Sequence, residues 1–99
     1  MIFNSRTVQK YILSGANVVA TIRRKGYYKV GKRVIAKVGE KRFHGKVIAI
    51  APLTPFSLSQ YAGYSGFGDV EEWVAEAERL HEDRIDPNKF EIVVVEVSS

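Results

Sequence analysis

Two segments of the chain carry apolar residues at the three- and four-residue spacing of a helix. The first segment predicts a helix over residues 5–14, with either Asn4 or Ser5 as its N-cap. Gly15 follows directly, and glycine is the residue that most readily takes a left-handed conformation after a helix. The first helix is therefore expected to end at Ser14.

The second helical segment begins near Asp69, a residue that suits an N-cap, and ends near His81. The acids Glu71 and Glu72 suit the positive end of a helix, and His81 suits its negative end. An apolar stripe runs along one side of this helix and is expected to face the core. It comprises Val70, Trp73, Val74, Ala77 and Leu80.

Alternating or β-branched apolar residues predict four strands, at residues 18–23, 33–38, 42–51 and 90–97. Phe3 is expected to begin a further short strand. The uninterrupted apolar run within the last strand suggests that it has a neighbour on each side. The four long strands and the short one are therefore expected to form a sheet.

A turn signal, Gly39-Glu40, separates the second and third of these strands, which predicts an antiparallel hairpin. The alternation of apolar and polar residues indicates which positions of the hairpin face the interior. Val34, Ala36 and Val38 share one face of the first hairpin strand, and Phe43, Val47 and Ile48 of the second are available for the interior.

Pro52 and Pro55 interrupt the strand pattern, and residues 57–61 predict a short helical turn. The glycine- and tyrosine-rich segment 61–68 is expected to be a loop, too mobile to belong to the core throughout. No linker or repeat is visible, so residues 1–99 are predicted to form a single domain. The predicted fold class is α+β: a mixed, partly closed β-barrel of about five to six strands with two to three flanking helices.

Composition excludes several classes of site. The chain of 99 residues contains no cysteine, which excludes disulfides, thiolate catalysis and cysteine-based zinc sites. His44 and His81 are far apart in sequence and no His-x-x-x-His or paired-carboxylate motif is present, so no metal site is predicted. No cofactor is predicted either. No segment approaches the roughly 18 apolar residues of a membrane span, and a cytoplasmic protein without a membrane partner is expected. The low content of Asn and Gln and the many charges suggest a thermophilic source.

Charge is unevenly distributed along the chain. Residues 1–46 carry twelve Lys or Arg residues and one acid, whereas residues 69–99 carry ten acids and three basic residues. The net charge of +4 therefore conceals a basic half that is expected to attract phosphate. Alternatively, the two halves pack together and neutralise each other. The acidic helix at residues 69–82 leaves a protein-interaction surface as a further hypothesis.

Several motifs occur in the order found in one known family. They are a helix ending in glycine at residues 11–15, a Thr-x-Arg strand at 20–23, a turn into a hairpin at 30–32 and a Gly-Phe pair at 66–67. In this order the motifs resemble the ASCH domain, a branch of the PUA-like superfamily, over almost the whole chain. The resemblance implies a PUA-like β-barrel with a cleft, and a tendency to bind RNA.

Some small bacterial members of that family hydrolyse the acetyl amide of N4-acetylcytidine, and the resemblance implies a lysine, a threonine and a glutamate for this reaction. Thr21 matches the threonine and would be the catalytic residue of an enzyme. Val18 stands where the lysine is expected, with Asn17 as the nearest polar residue, and Ser65 stands at the glutamate position. We therefore expect binding without this catalytic set. The alternative is a nucleoside amidohydrolase with a rearranged set.

RNA binding requires cations that face phosphate and flat side chains that stack on unpaired bases. We predict that RNA or a modified nucleotide binds in a basic cleft around residues 21–33. Arg23 is the main expected anion contact, because its planar fork suits phosphate. The predicted binding residues are Thr21, Arg23, Arg24, Lys25, Lys32, Arg33, Arg42, Tyr61 and Tyr64. The structural alternative is that the tyrosines pack in the barrel and the cations serve only solubility.

Overall fold

The computed structural model describes residues 1–98, and these residues form five strands and three α-helices. In chain order the elements are β1 (Ile2–Phe3), α1 (Arg6–Leu13), β2 (Val18–Arg24), β3 (Arg33–Val38), β4 (Lys41–Pro52), α2 (Pro55–Tyr61), α3 (Val70–His81) and β5 (Phe90–Ser98). A short 3-10 turn, Ala62–Tyr64, follows α2. The predicted α+β class is confirmed. None of the helices within residues 1–98 is long and apolar enough to cross a membrane.

All five strands of the described chain belong to one sheet, in the order β1-β3-β4-β5-β2. β1 and β3 are parallel, and the other neighbouring pairs are antiparallel. The two edge strands approach each other, because a side chain of β2 contacts the backbone of β1. The sheet is therefore a partly closed barrel, as predicted, and β5 has the two neighbours that its apolar run predicts.

Both faces of β5 are buried, which explains its uninterrupted run of valines. On one face, Val93 and Val95 pack with α1 and β3 in a first apolar cluster. On the other face, Ile92 and Val94 pack beneath α2 and α3 in a second cluster that contains Trp73. Because α1 and α3 cover opposite faces of the sheet, they meet around its β2 edge.

Side-chain caps determine where the helices begin. Ser5 accepts a hydrogen bond from the backbone N–H of Val8, which selects it over Asn4 as the N-cap of α1. Asp69 caps α3, as predicted, by accepting a hydrogen bond of 2.8 Å from the N–H of Glu72. Such a cap stabilises a helix by about 1 kcal/mol.

The prediction that Ile48 faces the interior is wrong. Ile48 is 41% exposed, because β4 shifts register between Val47 and Ala49. This β-bulge places two residues opposite a single position of β5 and interrupts the alternation of inward and outward side chains. Val47 is fully buried, as predicted, and Phe43 is half-buried.

Two further expectations near α3 differ from the structure. The prediction that Leu80 belongs to a stripe facing the core is wrong: Leu80 is 39% exposed, because it lines the cavity at the open edge of the sheet. The segment 61–68 is not a loop throughout, since it begins with the end of α2 and a 3-10 turn, and its Ser65 is fully buried. The Ser65 hydroxyl donates to the carbonyl oxygen of Ala62 at 2.6 Å and accepts from the N–H of Phe67 at 3.1 Å. These local hydrogen bonds stabilise the segment in a way that its composition does not indicate.

Candidate functional site

A cavity of about 230 Å³ lies where the half-barrel is open, between the edge strands β1 and β2. The start of α1 and one face of α3 complete its walls. Its polar lining residues are Asn4, Ser5, Thr21, Arg23, Glu76 and His81. The cavity is thus lined by side chains from both edge strands of the sheet and from two helices.

Arg23 spans the gap between the edge strands. Its Nε donates to Oγ1 of Thr21 at 3.1 Å, and its Nη2 donates to the carbonyl oxygen of Ile2 at 2.8 Å. The guanidinium also lies over the ring of Phe3, 5.0 Å from the ring centre. Burial lowers the pKa of Arg23, but a guanidinium keeps its charge at ordinary pH. Of its five N–H groups, two are used within residues 1–98, so three are available to a ligand.

Glu76 connects α3 to the start of α1. One carboxylate oxygen accepts a hydrogen bond of 2.8 Å from Oγ of Ser5, and the other accepts one from Nε of Arg79. The bond from Arg79, followed by that from Ser5, lowers the pKa of Glu76. The cavity therefore contains an ionised carboxylate as well as the Arg23 cation.

Aromatic side chains form much of the apolar wall. Phe3 and Trp73 are each 3% exposed, and Phe67 is half-buried between the two apolar clusters. The His81 ring lies beside them, with Nε2 at 3.3 Å from the carbonyl oxygen of Ile22. An apolar concavity with a few convergent polar groups is the usual form of a small-ligand site.

Of the nine predicted binding residues, Thr21 and Arg23 line the cavity, on the same face of β2. Arg24 follows on the opposite face, where it lies over the ring of Phe90 and pairs with Asp83 at 3.4 Å. The other predicted cations are exposed on the β2–β3 loop, β3 and β4 and do not line the cavity: they are Lys25, Lys32, Arg33 and Arg42. The structure does not gather residues 21–33 into a single cleft.

The tyrosines are divided between surface and core. Tyr27 is 67% exposed, and Nζ of Lys32 lies 3.9 Å from the centre of its ring. Tyr28 packs edge-on against Tyr27, with ring centres 4.8 Å apart. Tyr61 is half-buried against the second apolar cluster, whereas Tyr64 is 47% exposed on the 3-10 turn. Tyr61 and Tyr64 do not line the cavity.

Of the positions that the family resemblance and the sequence linked to catalysis, Thr21 alone lines the cavity. Val18 packs against the second apolar cluster, and Ser65 is buried in its own turn. Asn17 is exposed, and its backbone carbonyl accepts the N–H of Val97. His44 is exposed on β4, opposite Ile35.

Several lining residues were not predicted as site residues: Phe3, Ser5, Phe67, Trp73, Glu76 and His81. A signal for some of them was present in α3. Residues 73, 76, 77, 80 and 81 share one helical face, so two polar residues interrupt an apolar stripe. For Ser5 the sequence indicated a helix cap, and it could not indicate that the same hydroxyl also faces a cavity.

Ion pairs between the basic and acidic halves are few. Within residues 1–98 one ion pair, Arg24–Asp83, joins the two halves, and the other, Arg79–Glu76, lies within α3. Direct pairing therefore leaves most of the twelve cations of the basic half exposed to solvent. Some acids of α3 are used inside the protein, since Glu78 accepts the backbone N–H of Ile85 at 3.1 Å.

No family model and no solved structure matches the chain. A viral protein does match it: uncharacterized protein 105 of Sulfolobus islandicus rod-shaped virus 1 is 60% identical over 95 residues. The match covers 96% of this chain and 90% of the viral protein. The chain therefore belongs to the same protein family as uncharacterized protein 105 of that virus.

Proposed function

We propose that this protein binds RNA or a modified nucleotide, with one unstacked base in the cavity between β1 and β2. The observation that carries the proposal is the combination of aromatic walls with the Arg23 guanidinium in one concavity. The volume of about 230 Å³ lies below the roughly 300–1,000 Å³ of drug-sized ligand sites. This size suits one base or nucleoside and not a longer segment.

The chemistry of the lining supports a base as the ligand. Phe67 is half-buried and offers apolar surface to a planar ring, and Phe3 and Trp73 complete the aromatic wall. Stacking on aromatic side chains is how proteins hold unpaired bases. The Glu76 carboxylate accepts hydrogen bonds, which suits the amino group of a cytosine. The Thr21 hydroxyl can donate or accept.

Arg23 is the proposed phosphate contact. It keeps three N–H groups for a ligand, and its planar fork matches two oxygens of one phosphate. The large excess of exposed cations in residues 1–46 adds a positive potential that attracts polyanions. A nucleotide monophosphate should therefore bind more tightly than the corresponding nucleoside.

Trp73 allows a direct test, because it is the single tryptophan of the sequence and lines the cavity. We expect titration with cytidine, uridine, adenosine or guanosine 5′-monophosphate to change its fluorescence in a saturable way for at least one base. A matched pair of variants locates the site on α3. Ala77→Leu fills the cavity and should abolish the change, whereas Ala75→Leu, exposed on the same helix, should preserve it. No saturable change with any nucleotide, or equal loss in both variants, would contradict the proposal.

A nucleoside amidohydrolase is the second candidate, and one observation favours it. Glu76 brings a carboxylate into the cavity of Thr21, although the sequence has Ser65 at the position where the family resemblance implies a glutamate. The lowered pKa of Glu76 makes it a weak base, so binding is the better-supported function. Incubation with N4-acetylcytidine tests the alternative. Release of cytidine that is lost in both Thr21→Val and Glu76→Gln would support catalysis, and no release would contradict it.

A thermophilic source and a cytoplasmic location also belong to this proposal. The matching viral protein comes from a virus that infects a thermophilic archaeon. We expect thermal unfolding above the roughly 45–65 °C typical of mesophilic domains. A melting temperature within that range would contradict the thermophilic assignment.

A further inference from the structure

The outer face of the β3–β4 hairpin carries two pairs of like charges. Arg33 lies directly opposite Lys46, and Lys37 lies directly opposite Arg42. All four residues are exposed, and within residues 1–98 none of them has an ion-pair partner. We call these four residues the hairpin cation patch. Like charges directly opposite each other destabilise a sheet, so the arrangement opposes stability.

The helices leave this part of the sheet uncovered. The hairpin cation patch lies on the same face of the sheet as Ile92 and Val94 of β5. On that face α2 and α3 cover Ile92 and Val94 but not the hairpin. The acids placed next to the patch are Glu96, opposite Lys46 on β5, and Glu40, in the hairpin turn. Two acids beside four cations leave the surface positive.

The spacing of the patch allows its two pairs to contact different phosphates of one strand. Four residues along one strand separate the two pairs by roughly 13 Å, and the members of each pair are roughly 5 Å apart. Ile35 and His44 lie opposite each other between the pairs and are both exposed. An imidazole and an aliphatic side chain between two sets of cations offer a surface on which an unpaired base can rest.

The patch also reaches the mouth of the cavity. Ile2 lines the cavity and is 53% exposed, and it pairs in register with Lys37 on the neighbouring strand. Arg23 contacts the carbonyl oxygen of the same Ile2. One end of the patch therefore lies next to the entrance to the cavity.

We infer that the hairpin cation patch binds the phosphate backbone of single-stranded RNA, one base of which enters the cavity. This inference rests on the proposed function for the position of that base. A single strand is the partner, because the cavity accepts a base only when it is unpaired and because a base can rest on the surface between the pairs. The patch supplies affinity that depends on charge and not on sequence.

The test compares two double variants that remove equal charge. Lys37→Gln with Lys46→Gln takes one cation from each pair of the patch. Arg6→Gln with Lys10→Gln is the control, because both residues are exposed on α1, which covers the opposite face of the sheet. The probes are an unstructured oligouridylate of about ten nucleotides, a duplex RNA of the same length, and uridine 5′-monophosphate.

We expect the patch variant to bind the oligouridylate about tenfold more weakly and to reduce the slope of log affinity against log salt by about 1.4. The control variant should change neither quantity beyond the small effect of net charge. Binding of uridine 5′-monophosphate should be unchanged in the patch variant, since the cavity is intact.

Three outcomes would overturn the inference: no binding of the oligouridylate by the unmodified protein, equal losses in the two variants, or tighter binding of the duplex than of the single strand. Failure of the proposed function gives a different result. In that case no mononucleotide changes the fluorescence of Trp73. Binding of the oligouridylate that is weakened in the patch variant would still support binding of the phosphate backbone by the patch.

Discussion

Arg23 of β2 and Ile2 of β1 are joined by a hydrogen bond of 2.8 Å between a guanidinium and a backbone carbonyl oxygen. The two strands are the opposite edges of the sheet, so no backbone ladder connects them. A side chain therefore closes the half-barrel and leaves room for a cavity that a continuous ladder would eliminate. The same guanidinium faces that cavity, which makes Arg23 both a structural contact and a candidate ligand contact.

Arg23→Gln should lower the free energy of unfolding by about 1.5–3 kcal/mol, because it removes two charged hydrogen bonds at a half-buried position. It should also weaken binding of nucleoside monophosphates. Arg23→Lys keeps the charge but not the fork, and its effect should be intermediate. Urea unfolding and the Trp73 fluorescence titration measure the two effects.

Arg24→Gln is the matched control on the same strand. Arg24 makes an exposed ion pair with Asp83, so its replacement should cost about 0–1 kcal/mol and leave nucleotide binding unchanged. Equal effects of the two substitutions would refute a special role for Arg23.

Glu76→Gln should make the protein less stable in a pH-dependent way. The ordinary pKa of a glutamate is 4.5, and in the folded state hydrogen bonds from Arg79 and Ser5 lower the pKa of Glu76 below it. Ionised Glu76 therefore stabilises the fold above pH 4.5, and this contribution disappears as the pH falls through the lowered pKa of the folded state. We expect the difference in unfolding free energy between the native protein and Glu76→Gln to shrink from about pH 5 to about pH 3. Urea unfolding at several pH values measures it.

Glu71→Gln on the exposed side of the same helix serves as the control for that series. It removes one charge without removing a hydrogen bond between α3 and α1. If its stability profile matched that of Glu76→Gln, the Ser5–Glu76 contact would not be the cause.

Lys37→Glu should stabilise the protein, because it places opposite charges across the hairpin at Arg42 where the native chain has like charges. A gain of about 0.2–1 kcal/mol is expected from a cross-strand pair. The same substitution should weaken binding of single-stranded RNA, so stability and binding would change in opposite directions. Lys10→Glu on α1 is the control, and thermal unfolding with RNA titration measures both. A loss of stability in Lys37→Glu would contradict the assigned register.

Gly66→Ala should be more damaging than Gly15→Ala. Both glycines have positive φ angles, +88° and +103°, so alanine at either position costs roughly 1–2 kcal/mol in the backbone. A methyl group at Gly66 would also lie 3.0 Å from Cβ of Tyr11, whereas one at Gly15 meets open space. The further clash should add about 1–3 kcal/mol, measured by urea unfolding. Equal costs would indicate that Tyr11 moves aside freely.

Local patterns account for the elements that the sequence predicted well. The sequence predicts α1 over residues 5–14, and the helix occupies Arg6–Leu13. The prediction is close because the signals that start and end this helix, the cap Ser5 and Gly15, lie in the chain next to the helix itself. Strand β3 was predicted at its observed bounds, since regular alternation is a local property. The prediction for Ile48 is wrong because a β-bulge depends on the register of β4 against β5. β5 begins 42 residues after Ile48, so no local pattern around Ile48 contains that register.

The candidate site too depends partly on local pattern and partly on the tertiary structure. The sequence by itself determined that Thr21 and Arg23 share a face of β2, because alternate residues of a strand point the same way. Only the tertiary structure decided what they face. Ser5 and Glu76 are separated by 71 positions and meet because α1 and α3 pack on opposite faces of the sheet and join around its open edge. The cavity forms where β1 and β2 approach each other without pairing, and no local pattern encodes how far apart two distant strands come to lie.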